Sequence, residues 1–407
     1  MGFFKQTIRD VPLDGQTVLV RADYNVPLQA DGTIDDDFRI RASLPTIRAL
    51  RERGCKVVII SHLGRPEGKD ASLSLESIGQ RLAALLEKEV LFVGDCVGDK
   101  VYQVVRHASP SSIILLENLR FYPGEEADDE AFAKKVAQAT NASYFIQDGF
   151  GVVHRAHAST HAITLLLPSV AGLLLEKEYT TITNAMRAPA RPLVAVMGGA
   201  KVSDKIKVIK ALVDEADTIV VSGAMANTFL TYRGLKLGKS KVEPDQSAIL
   251  DEIYAAVEKK VGENRVDDFL MLPVDLAVSS DFANSERREV PADSLSDDDM
   301  ALDVGKRTIE KVDAIVAAAK TVIWNGTLGV SEFSNFAHGS ARLALALATH
   351  PEIESIVGGG DTVDFVLKWD ARHGESFGHV STGGGASLEL MAGDPLPGVE
   401  SLLDAKR

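Results

Sequence analysis

The stretch LVAVMGGAKVSDKIKVIKALV, residues 193–213, joins a strand, a turn and a helix in one run. It begins with five apolar residues, Leu193–Met197, passes through a Gly-Gly turn and ends in a segment with helical periodicity. This order is the repeating unit of parallel sheets wound with helices. Lys201 and Lys205 lie at the start of the helical segment, where backbone N–H groups favour phosphate. The stretch therefore predicts an anion-binding turn, although it matches no phosphate-loop signature.

The same alternation of short β-branched runs and longer helical segments recurs along the chain. We predict strands at Thr17–Val20, Lys56–Ile60, Ile113–Leu116, Tyr144–Gln147, Leu193–Met197, Thr218–Val221, Thr321–Trp324 and Glu354–Val357. We predict helices over residues 36–54, 73–89, 203–216, 245–261 and 308–320. Pro45 lies inside the first helix and predicts a kink or a late start there. The expected fold class is α/β, with two doubly wound parallel-sheet (Rossmann-like) domains, a cleft between them and a connecting helix.

The length of the chain and one apolar segment set the expected domain boundary. At 407 residues the chain exceeds the usual size of a single domain, so two domains are expected. Residues 169–192 lie between the two series of strands and are interpreted as a connecting helix that ends before Pro189. We therefore expect an N-terminal domain over residues 1–175 and a second domain, which includes the connecting helix, over residues 176–396.

Composition and charge exclude several classes of function. The chain is 45% hydrophobic and 25% charged, which is typical of a globular protein. Its formal charge of −14 argues against a general binder of nucleic acid or of anionic membranes, so any anion site has to be a local basic cluster. No apolar run reaches the roughly 18 residues of a membrane span, and we expect a cytoplasmic protein. Cys55 and Cys96 are interpreted as reduced thiols.

Arginines follow the predicted strands of the first half. In open α/β sheets ligands bind beyond the carboxyl ends of the strands, so these positions are candidates for a site. They carry Arg21, Asp23 and Asn25, then His62 and Arg65, then Asn118 and Arg120, and then Arg155, with Arg39 at the head of a predicted helix. The planar fork of arginine suits carboxylate and phosphate groups. This half therefore predicts a site for a small, multiply anionic ligand.

Glycine-rich turns follow the predicted strands of the second half instead. In chain order they read GGAK, SGAMANT, WNGTLG, GGGDT and STGGGAS. Such turns expose backbone N–H groups at helix starts, where phosphate oxygens bind. Lys201 and Lys205 add positive charge, and Asp361 adds a carboxylate of the type that binds Mg²⁺. This half therefore predicts a nucleotide site.

Familiar nucleotide fingerprints do not fit this half of the chain. GLKLGKS, residues 234–240, has three residues between its glycines where a Walker loop has four, and GFGVVH has His154 where a dinucleotide fingerprint needs glycine. An anionic-substrate half and a nucleotide half together indicate phosphoryl transfer, with two domains closing to exclude water. Two alternatives stay open: a non-enzymatic protein that closes on one anion, and an NAD-dependent dehydrogenase.

Motifs along the whole chain resemble those of the phosphoglycerate kinase family. They are VRADYNVP, DDFRIRASLPTI, SHLGRP, LLENLRFYPGEE, HRAHAS, GGAKVSDKI, GGGDT and STGGGASLE, in the order and with roughly the spacing of that family. The resemblance implies reversible transfer of a phosphoryl group between 1,3-bisphosphoglycerate and ADP, which gives 3-phosphoglycerate and ATP with Mg²⁺. It also implies that about residues 397–407 pack on the N-terminal domain. We expect a monomer that acts on small molecules and has no nucleic-acid or membrane partner.

The resemblance implies roles for single residues. By similarity, substrate binding falls to Arg21, Asp23, Asn25, Arg39, His62, Leu63, Gly64, Arg65, Arg120 and Arg155. Catalysis falls to Arg39, Lys201 and Gly384. Nucleotide binding falls to Lys205, Gly223, Asn325, Glu332, Gly359, Gly360, Asp361 and Thr362, with Asp361 holding Mg²⁺.

Several stretches need separate interpretation. The family usually reads Asn-Gly-Pro-x-Gly-x-Phe-Glu where this chain has NGTLGVSE, so Thr327 replaces a proline and Ser331 an aromatic residue. Because a stiff turn and a ring are lost, we predict a looser loop and weaker or less selective nucleotide binding. Gly149 stands where the family usually has alanine, beside the arginines. The acidic stretch Asp293–Asp303 is interpreted as a solvated loop.

Overall fold

Two compact units make up the protein. The computed structural model describes residues 2–406. One unit contains the residues up to Thr180 together with those from Pro395 onward, and the other contains Thr181–Asp394. Every helix within residues 2–406 is too short or too polar to span a membrane.

The first unit is built on a six-stranded parallel sheet. Its strands are β1 (Thr17–Arg21), β2 (Lys56–Ile60), β3 (Val90–Val93), β4 (Ile113–Leu116), β5 (Tyr144–Gln147) and β6 (Ser169–Ala171). Its helices are α1 (Phe38–Glu52), α2 (Glu76–Leu86), α3 (Asp99–His107) and α4 (Glu130–Thr140), and α5 (Leu173–Arg187) continues into the second unit. The strand order is β3-β4-β2-β1-β5-β6, and all neighbouring strands are parallel.

Both faces of this sheet are buried, which explains why its strands consist of continuous apolar residues. In β1, Val18 and Val20 belong to one apolar cluster and Leu19 to another, because successive side chains of a strand point to opposite faces. Helices cover both clusters, as expected for a parallel sheet. The strand order reverses at β1, so the loops beyond the carboxyl ends of β1 and its two neighbours form the expected place for a ligand.

The second unit repeats this plan and adds a small antiparallel sheet. Its strands are β7 (Leu193–Met197), β8 (Thr218–Val221), β9 (Leu270–Met271), β10 (Asp275–Ser279), β11 (Arg288–Pro291), β12 (Met300–Val304), β13 (Thr321–Asn325), β14 (Glu354–Gly358) and β15 (His379–Val380). Its helices are α6 (Ile206–Glu215), α7 (Gly223–Tyr232), α8 (Ser247–Val261), α9 (Val266–Phe269), α10 (Lys306–Ala317), α11 (His338–Thr349), α12 (Gly360–Trp369) and α13 (Gly384–Met391). The parallel order is β15-β14-β13-β7-β8-β9, and the antiparallel order is β11-β10-β12.

The predicted fold class is confirmed by the two doubly wound parallel sheets. All eight predicted strands form, and three of them extend one residue further. The prediction of a late start for the first helix is wrong, since α1 begins at Phe38 and continues through Pro45. Leu44 and Ile47 on either side of the proline are buried, so packing outweighs the loss of one backbone hydrogen bond.

The interpretation of Asp293–Asp303 as a solvated loop is wrong at its carboxyl end. Residues from Met300 onward form β12, and Asp303 is buried there in an ion pair with Arg287. Asp299 is also buried, and it pairs with Arg288 of β11. Acidic residues can be buried when cations pair with them, and the pairing arginines lie outside the acidic stretch itself.

The chain ends in the first unit, where its last residues contact its first ones. After α14 (Pro397–Glu400), the carbonyls of Glu400 and Leu402 accept hydrogen bonds from the buried Nζ of Lys5, at 2.7 and 3.0 Å. The same Nζ lies 2.7 Å from the carboxylate of Asp404. One buried ammonium group thus joins both ends of the chain.

Candidate functional site

The arginines predicted from the first half meet beyond the carboxyl ends of the parallel strands. We call this set the basic cluster: Arg21, Arg39, His62, Arg65, Arg120 and Arg155. Burial and the charges of three arginines, Arg21 foremost, hold the pKa of His62 well below its usual value. Burial also lowers the pKa of Arg120; the carboxylates of Glu126 and Glu125 oppose this shift, and the charges of Arg155 and Arg65 add to it. Such mutual repulsion means that the cluster favours a multiply charged anion.

Arg21, the last residue of β1, is only 1% exposed. Its Nε donates to Oγ of Ser159 at 2.7 Å, and a terminal nitrogen lies 3.2 Å from Nδ1 of His62. The buried carboxylate of Glu125 lies 3.8 Å from the guanidinium and accepts hydrogen bonds from the amide and the hydroxyl of Ser159. Burying an unpaired charge is costly, so the interactions with Glu125 and Ser159 are needed to stabilise the buried guanidinium of Arg21. The sequence analysis missed both residues.

Arg39 lies in the first turn of α1 and is held by two acceptors. One terminal nitrogen donates to Oδ2 of Asp23 and to the carbonyl of Asn25, both at 3.1 Å. Oδ1 of Asn25 in turn accepts a hydrogen bond from the amide of Gly64 at 2.8 Å. The side chain of Arg39 is 28% exposed, so it is oriented yet open to a ligand.

The loop after β2 is fixed before any ligand binds. The amide of Leu63 donates to Oδ1 of Asn118 at 3.3 Å, and its carbonyl accepts from Nδ2 of the same side chain at 2.8 Å. The carbonyl of Gly64 accepts a hydrogen bond from Arg120 at 2.7 Å. Arg65 follows directly and is exposed. The structure therefore places Leu63, Gly64, Asn118 and Arg120 in one hydrogen-bonded network.

Two further histidines border the basic cluster. Burial lowers the pKa of both His154 and His157 to about 4, and the charges of Arg155 and Arg21, respectively, act in the same direction. Within residues 2–406, Nδ1 of each ring is buried without a hydrogen-bond partner. Both rings are neutral at pH 7, so arginines alone carry the positive charge of the cluster.

In the second unit, glycine turns lie backbone against backbone where β7 and β13 are neighbours and the strand order reverses. A Cβ atom on Gly198 would lie 2.2 Å from the carbonyl oxygen of Thr327, and one on Gly326 would lie 2.2 Å from the carbonyl carbon of Gly198. A Cβ atom on Gly223 would lie 2.8 Å from the amide nitrogen of Gly199. Close approach of the backbone therefore requires glycine at these positions.

Lys205 ties these turns together. Its Nζ donates to the carbonyl of Gly198 at 2.7 Å and to the carbonyl and Oδ1 of Asn325, both at 2.8 Å. Burial lowers the pKa of Lys205 to about 8, although the nearby carboxylate of Asp361 opposes this shift. Nδ2 of Asn325 is buried without a partner within residues 2–406. A charged amine and a spare amide donor thus lie at the turn.

Lys201 is exposed, and its turn is held by Glu243. The carboxylate of Glu243 accepts hydrogen bonds from the amides of Val202 and Ser203 at 2.7 and 3.2 Å. Partial burial raises the pKa of Glu243, but these hydrogen bonds and the charge of Lys201 outweigh it and lower the pKa overall. The Lys201 charge is therefore presented by a turn whose backbone is fixed.

The remaining predicted phosphate-binding residues lie at two helix starts. Helix α12 begins at Gly360 with Asp361 exposed in its first turn, and α13 begins at Gly384. A Cβ atom on Gly360 or Gly384 would meet no atom within 4 Å, so both starts are open. Thr362 differs, since its hydroxyl is buried and accepts a hydrogen bond from the amide of Gly326 at 2.7 Å. That hydroxyl holds the turn after β13.

A cavity of about 290 Å³ lies between the antiparallel sheet and the loop after β13. We call it the sheet–loop cavity. It is lined by Gly199, Gly223, Ala224, Leu276, Leu302, Asp303, Leu328, Val330, Glu332 and Asp361, among others. Glu332 is exposed at the cavity, whereas Leu302 and Leu328 are buried. Apolar walls with a few polar groups are typical of a small-molecule site.

The described side chains do not form a closed metal cage. Within residues 2–406, no group of three or more His, Cys, Asp or Glu side chains could hold a metal ion. Mg²⁺ commonly keeps several waters and binds through one or two carboxylates together with substrate phosphates. The exposed carboxylate of Asp361, at a helix start beside Lys205, fits a site of that kind.

Comparisons with known proteins agree over the length of the chain. A family model described as phosphoglycerate kinase matches residues 8–394. The phosphoglycerate kinase of Thermosynechococcus vestitus is 45% identical over 397 residues, which cover 97% of each chain. That of Moorella thermoacetica is 44% identical over 403 residues, which cover 98% of this chain and 99% of the relative.

Solved structures give the same result. The phosphoglycerate kinase from Coxiella burnetii is similar with a TM-score of 0.83 at 34% identity, and 98% of each chain is covered. The phosphoglycerate kinase from Pyrococcus horikoshii is similar with a TM-score of 0.83 at 31% identity, again with 98% of each chain covered.

Proposed function

Because this chain belongs to the phosphoglycerate kinase family, we propose that each of its two units binds one of the two substrates. The activity is the glycolytic, reversible transfer of a phosphoryl group between 1,3-bisphosphoglycerate and ADP, which gives 3-phosphoglycerate and ATP. The first unit is the phosphoglycerate-binding domain, and the second is the nucleotide-binding domain. The observation that carries this division is that the charged side chains gather in one unit and the glycine turns in the other.

The basic cluster binds the phosphate and carboxylate groups of phosphoglycerate. Arg21, Arg65, Arg120 and Arg155 neutralise these anions, and His62 lies among them as a neutral ring. The remaining substrate-binding residues orient the arginines or fix their loops, namely Asp23, Asn25, Leu63 and Gly64. The hydrogen bonds that hold Arg21, Arg39 and Arg120 in place support the proposal, because groups already in position lose little entropy when the ligand binds.

The nucleotide binds in the sheet–loop cavity. Its base lies between apolar walls beside Gly223, and Glu332 accepts hydrogen bonds from the ribose. Lys205, Asn325 and the helix start at Gly359–Thr362 receive the phosphates. Asp361 holds Mg²⁺, which neutralises phosphate charge when it is bound.

Three groups act on the phosphoryl group as it moves. Arg39 approaches it from the phosphoglycerate side, Lys201 approaches it from the nucleotide side, and the start of α13 at Gly384 directs backbone N–H groups toward it. Phosphoryl transfer needs little covalent help from a protein, so positioning and neutralising charge supply most of the rate. Because the binding groups belong to different units, we propose that domain closure brings the substrates together and excludes water.

The protein acts in this proposal as a cytoplasmic monomer on small molecules, with no nucleic-acid or membrane partner. The net charge of −14 supports it, because a strongly acidic chain repels nucleic acid and anionic lipid. Sedimentation equilibrium over a range of concentrations is expected to give one mass near 43.7 kDa. A mass that rises with concentration would contradict the monomer.

The direct test is turnover with and without Lys201. ATP consumption in the presence of 3-phosphoglycerate and Mg²⁺ is coupled to glyceraldehyde-phosphate dehydrogenase and followed as loss of NADH. We expect turnover in the wild type and a fall of roughly 10³-fold in Lys201→Ala. Lys207→Ala is the matched control, because Lys207 lies nearby, is exposed and pairs with Asp394. Unchanged turnover in Lys201→Ala would remove that residue from the phosphoryl path.

Ligand choice separates this function from the two alternatives. The kinase binds MgADP and 3-phosphoglycerate at separate sites, so calorimetry with either ligand present should still detect the other. A simple anion-binding protein would take only one of them, and a dehydrogenase would take NAD.

A further inference from the structure

The loop after β13 is where this chain departs from its family, and hydrogen bonds attach it to the antiparallel sheet. It carries Thr327 and Ser331 where the family usually has a proline and an aromatic residue. The amide of Val330 donates to the carbonyl of Leu302 in β12 at 2.8 Å. The loop and the sheet form two adjoining walls of the sheet–loop cavity. Whatever holds these walls together therefore determines the width of the cavity.

Asp303 lies at the junction of the two walls. Its carboxylate is fully buried, and Oδ2 accepts a hydrogen bond from the amide of Gly339 at 3.1 Å. Oδ1 accepts one from the amide of Val304 at 2.8 Å. A Cβ atom on Gly329 would lie 2.5 Å from Oδ1, so the loop packs directly against this carboxylate.

Arg287 supplies the charge that allows Asp303 to be buried, and it also contacts both the loop and the sheet. One terminal nitrogen lies 2.8 Å from Asp303 and donates to the carbonyl of Asn335, near the far end of the loop, at 3.1 Å. The other terminal nitrogen donates to the carbonyl of Val304, in the sheet, at 2.8 Å. The side chain is 10% exposed, and Glu289 pairs with its outer edge at 3.1 Å. The rigid fork of arginine thus spans loop and sheet.

We propose that Arg287, through its ion pair with Asp303, sets the width of the sheet–loop cavity and so controls nucleotide affinity. Arg287 is a positioning residue, since it acts through Asp303 and the loop. Arg287 restrains the position of the loop after β13, which Thr327 and Ser331 do not restrain as a proline and an aromatic residue would. The inference rests on the proposed binding of the nucleotide in this cavity.

The test measures the dissociation constant of MgADP by calorimetry, together with KM for MgATP, KM for 3-phosphoglycerate and kcat. In Arg287→Met the dissociation constant should rise about tenfold, because the buried carboxylate loses its partner and the two walls separate. KM for MgATP should rise with it, while KM for 3-phosphoglycerate and kcat at saturation should stay within about twofold. Arg287→Lys keeps the charge but cannot span both walls, so we expect a rise of about threefold.

Arg288→Met is the matched control. Arg288 is the next residue, and it pairs with Asp299 just before β12, but neither Arg288 nor Asp299 lines the sheet–loop cavity, whereas Asp303 does. Its nucleotide affinity should stay within about twofold of the wild type. If MgADP binding weakens equally in Arg287→Met and Arg288→Met, the sheet has loosened generally, and the inference is overturned. The inference is also overturned if Arg287→Met has a lower melting temperature but binds MgADP with normal affinity. If Arg287→Met does not fold, Arg287→Lys decides alone, and unchanged affinity in that variant overturns the inference.

A third variant separates this inference from the proposed function beneath it. Ala224→Trp fills the sheet–loop cavity from α7. If it leaves MgADP binding unchanged, the nucleotide binds elsewhere, and the proposed function of the cavity fails together with the inference. If it abolishes binding while Arg287→Met has no effect, only the role of Arg287 fails.

Discussion

The basic cluster of the first unit and the glycine turns of the second unit are both suited to bind phosphate, but different parts of the protein do the binding. In the cluster, long side chains carry the charge, and buried partners such as Glu125 hold them in position. In the turns, the backbone itself forms the site, and Gly198 lies so close to the next turn that no side chain fits. We therefore expect the first site to lose activity or affinity when a charged side chain is removed, and the second site to lose affinity when a glycine is replaced by a larger residue.

The largest effect is expected in Arg39→Ala. Removing this charge from the transferring group should lower kcat by roughly 10³-fold, as for arginines that stabilise the transition state of phosphoryl transfer. Arg48→Ala on the same helix is the control, since Arg48 is exposed and contacts only the carbonyl of Leu85 among the described polar groups. Lost affinity for 3-phosphoglycerate with kcat intact would make Arg39 a binding residue instead.

The second prediction compares one added methyl group in each unit. Gly198→Ala places a Cβ atom 2.2 Å from a backbone oxygen, so the turn has to move to relieve the clash, and this displacement should weaken MgADP binding about 100-fold. Gly149→Ala places one 3.1 Å from the backbone at Ala22, which small shifts can relieve, and KM for 3-phosphoglycerate should change less than about threefold. Similar losses in both variants would show that the two sites do not differ in tolerance to volume.

The third prediction concerns the pH dependence of the nucleotide site. The pKa of Lys205 is lowered to about 8 by burial, so its positive charge is lost as pH rises through that value. Phosphate binding favours the charged amine, and the affinity for MgADP should therefore fall about tenfold between pH 7 and pH 9. Arginine stays charged in this range, so Lys205→Arg should show a flat profile whatever its absolute affinity. A flat profile in the wild type would contradict the role of Lys205.

The smallest effect concerns stability near the start of α5. Burial raises the pKa of Asp148 to about 7, and its Oδ2 has no partner within residues 2–406. The folded state then binds a proton that the unfolded state has released, so stability should fall as pH rises from about 4 to about 7. Asp148→Asn should remove this dependence and raise the melting temperature at pH 8 by roughly 4 °C.

Asp275 in the second unit provides the contrast to Asp148. Its carboxylate accepts hydrogen bonds from the amides of Thr308 and Arg307, at 2.8 and 3.0 Å. Asp275→Asn turns one acceptor into a donor and should lower the melting temperature at every pH in this range. If Asp148→Asn instead lowers the melting temperature at pH 8, as expected for Asp275→Asn, the charge of Asp148 does not destabilise the folded state.

The parallel sheets could be read from the sequence because both of their faces are buried. Such strands are continuous apolar runs, and all eight predictions of this kind were confirmed. β3 was missed because only Val93 of its four residues is buried, and β11 was missed because its residues are mostly exposed. The assignment of residues 169–192 to the connecting helix is wrong at its start, because Ser169–Ala171 form the buried strand β6 and α5 begins at Leu173; three residues are too few to show the period of a strand. β12 follows three aspartates, and local composition concealed it.

The candidate site could be predicted only where topology places a residue at the end of a strand. Arg21 and Gly198 follow β-branched or apolar runs directly, so their positions were visible in the sequence. Their partners are set by contacts over long distances in sequence, such as Arg21 with Ser159, which are 138 residues apart. No local pattern marks a serine or an aspartate that is buried because a distant arginine pairs with it.

The bond between Lys5 and the carbonyls of Glu400 and Leu402 has a consequence for the order of synthesis. The first unit needs residues from both ends of the chain, and the ribosome makes the whole of Thr181–Asp394 between them. At about 5–20 residues per second, that interval lasts roughly 10–40 s. During this interval two groups of the first unit have not yet met their hydrogen-bond partners. They are the amine of Lys5 and the carbonyl of Val153, which later accepts a hydrogen bond from Gly398 at 2.9 Å. The unit that is synthesised first is thus the one completed last.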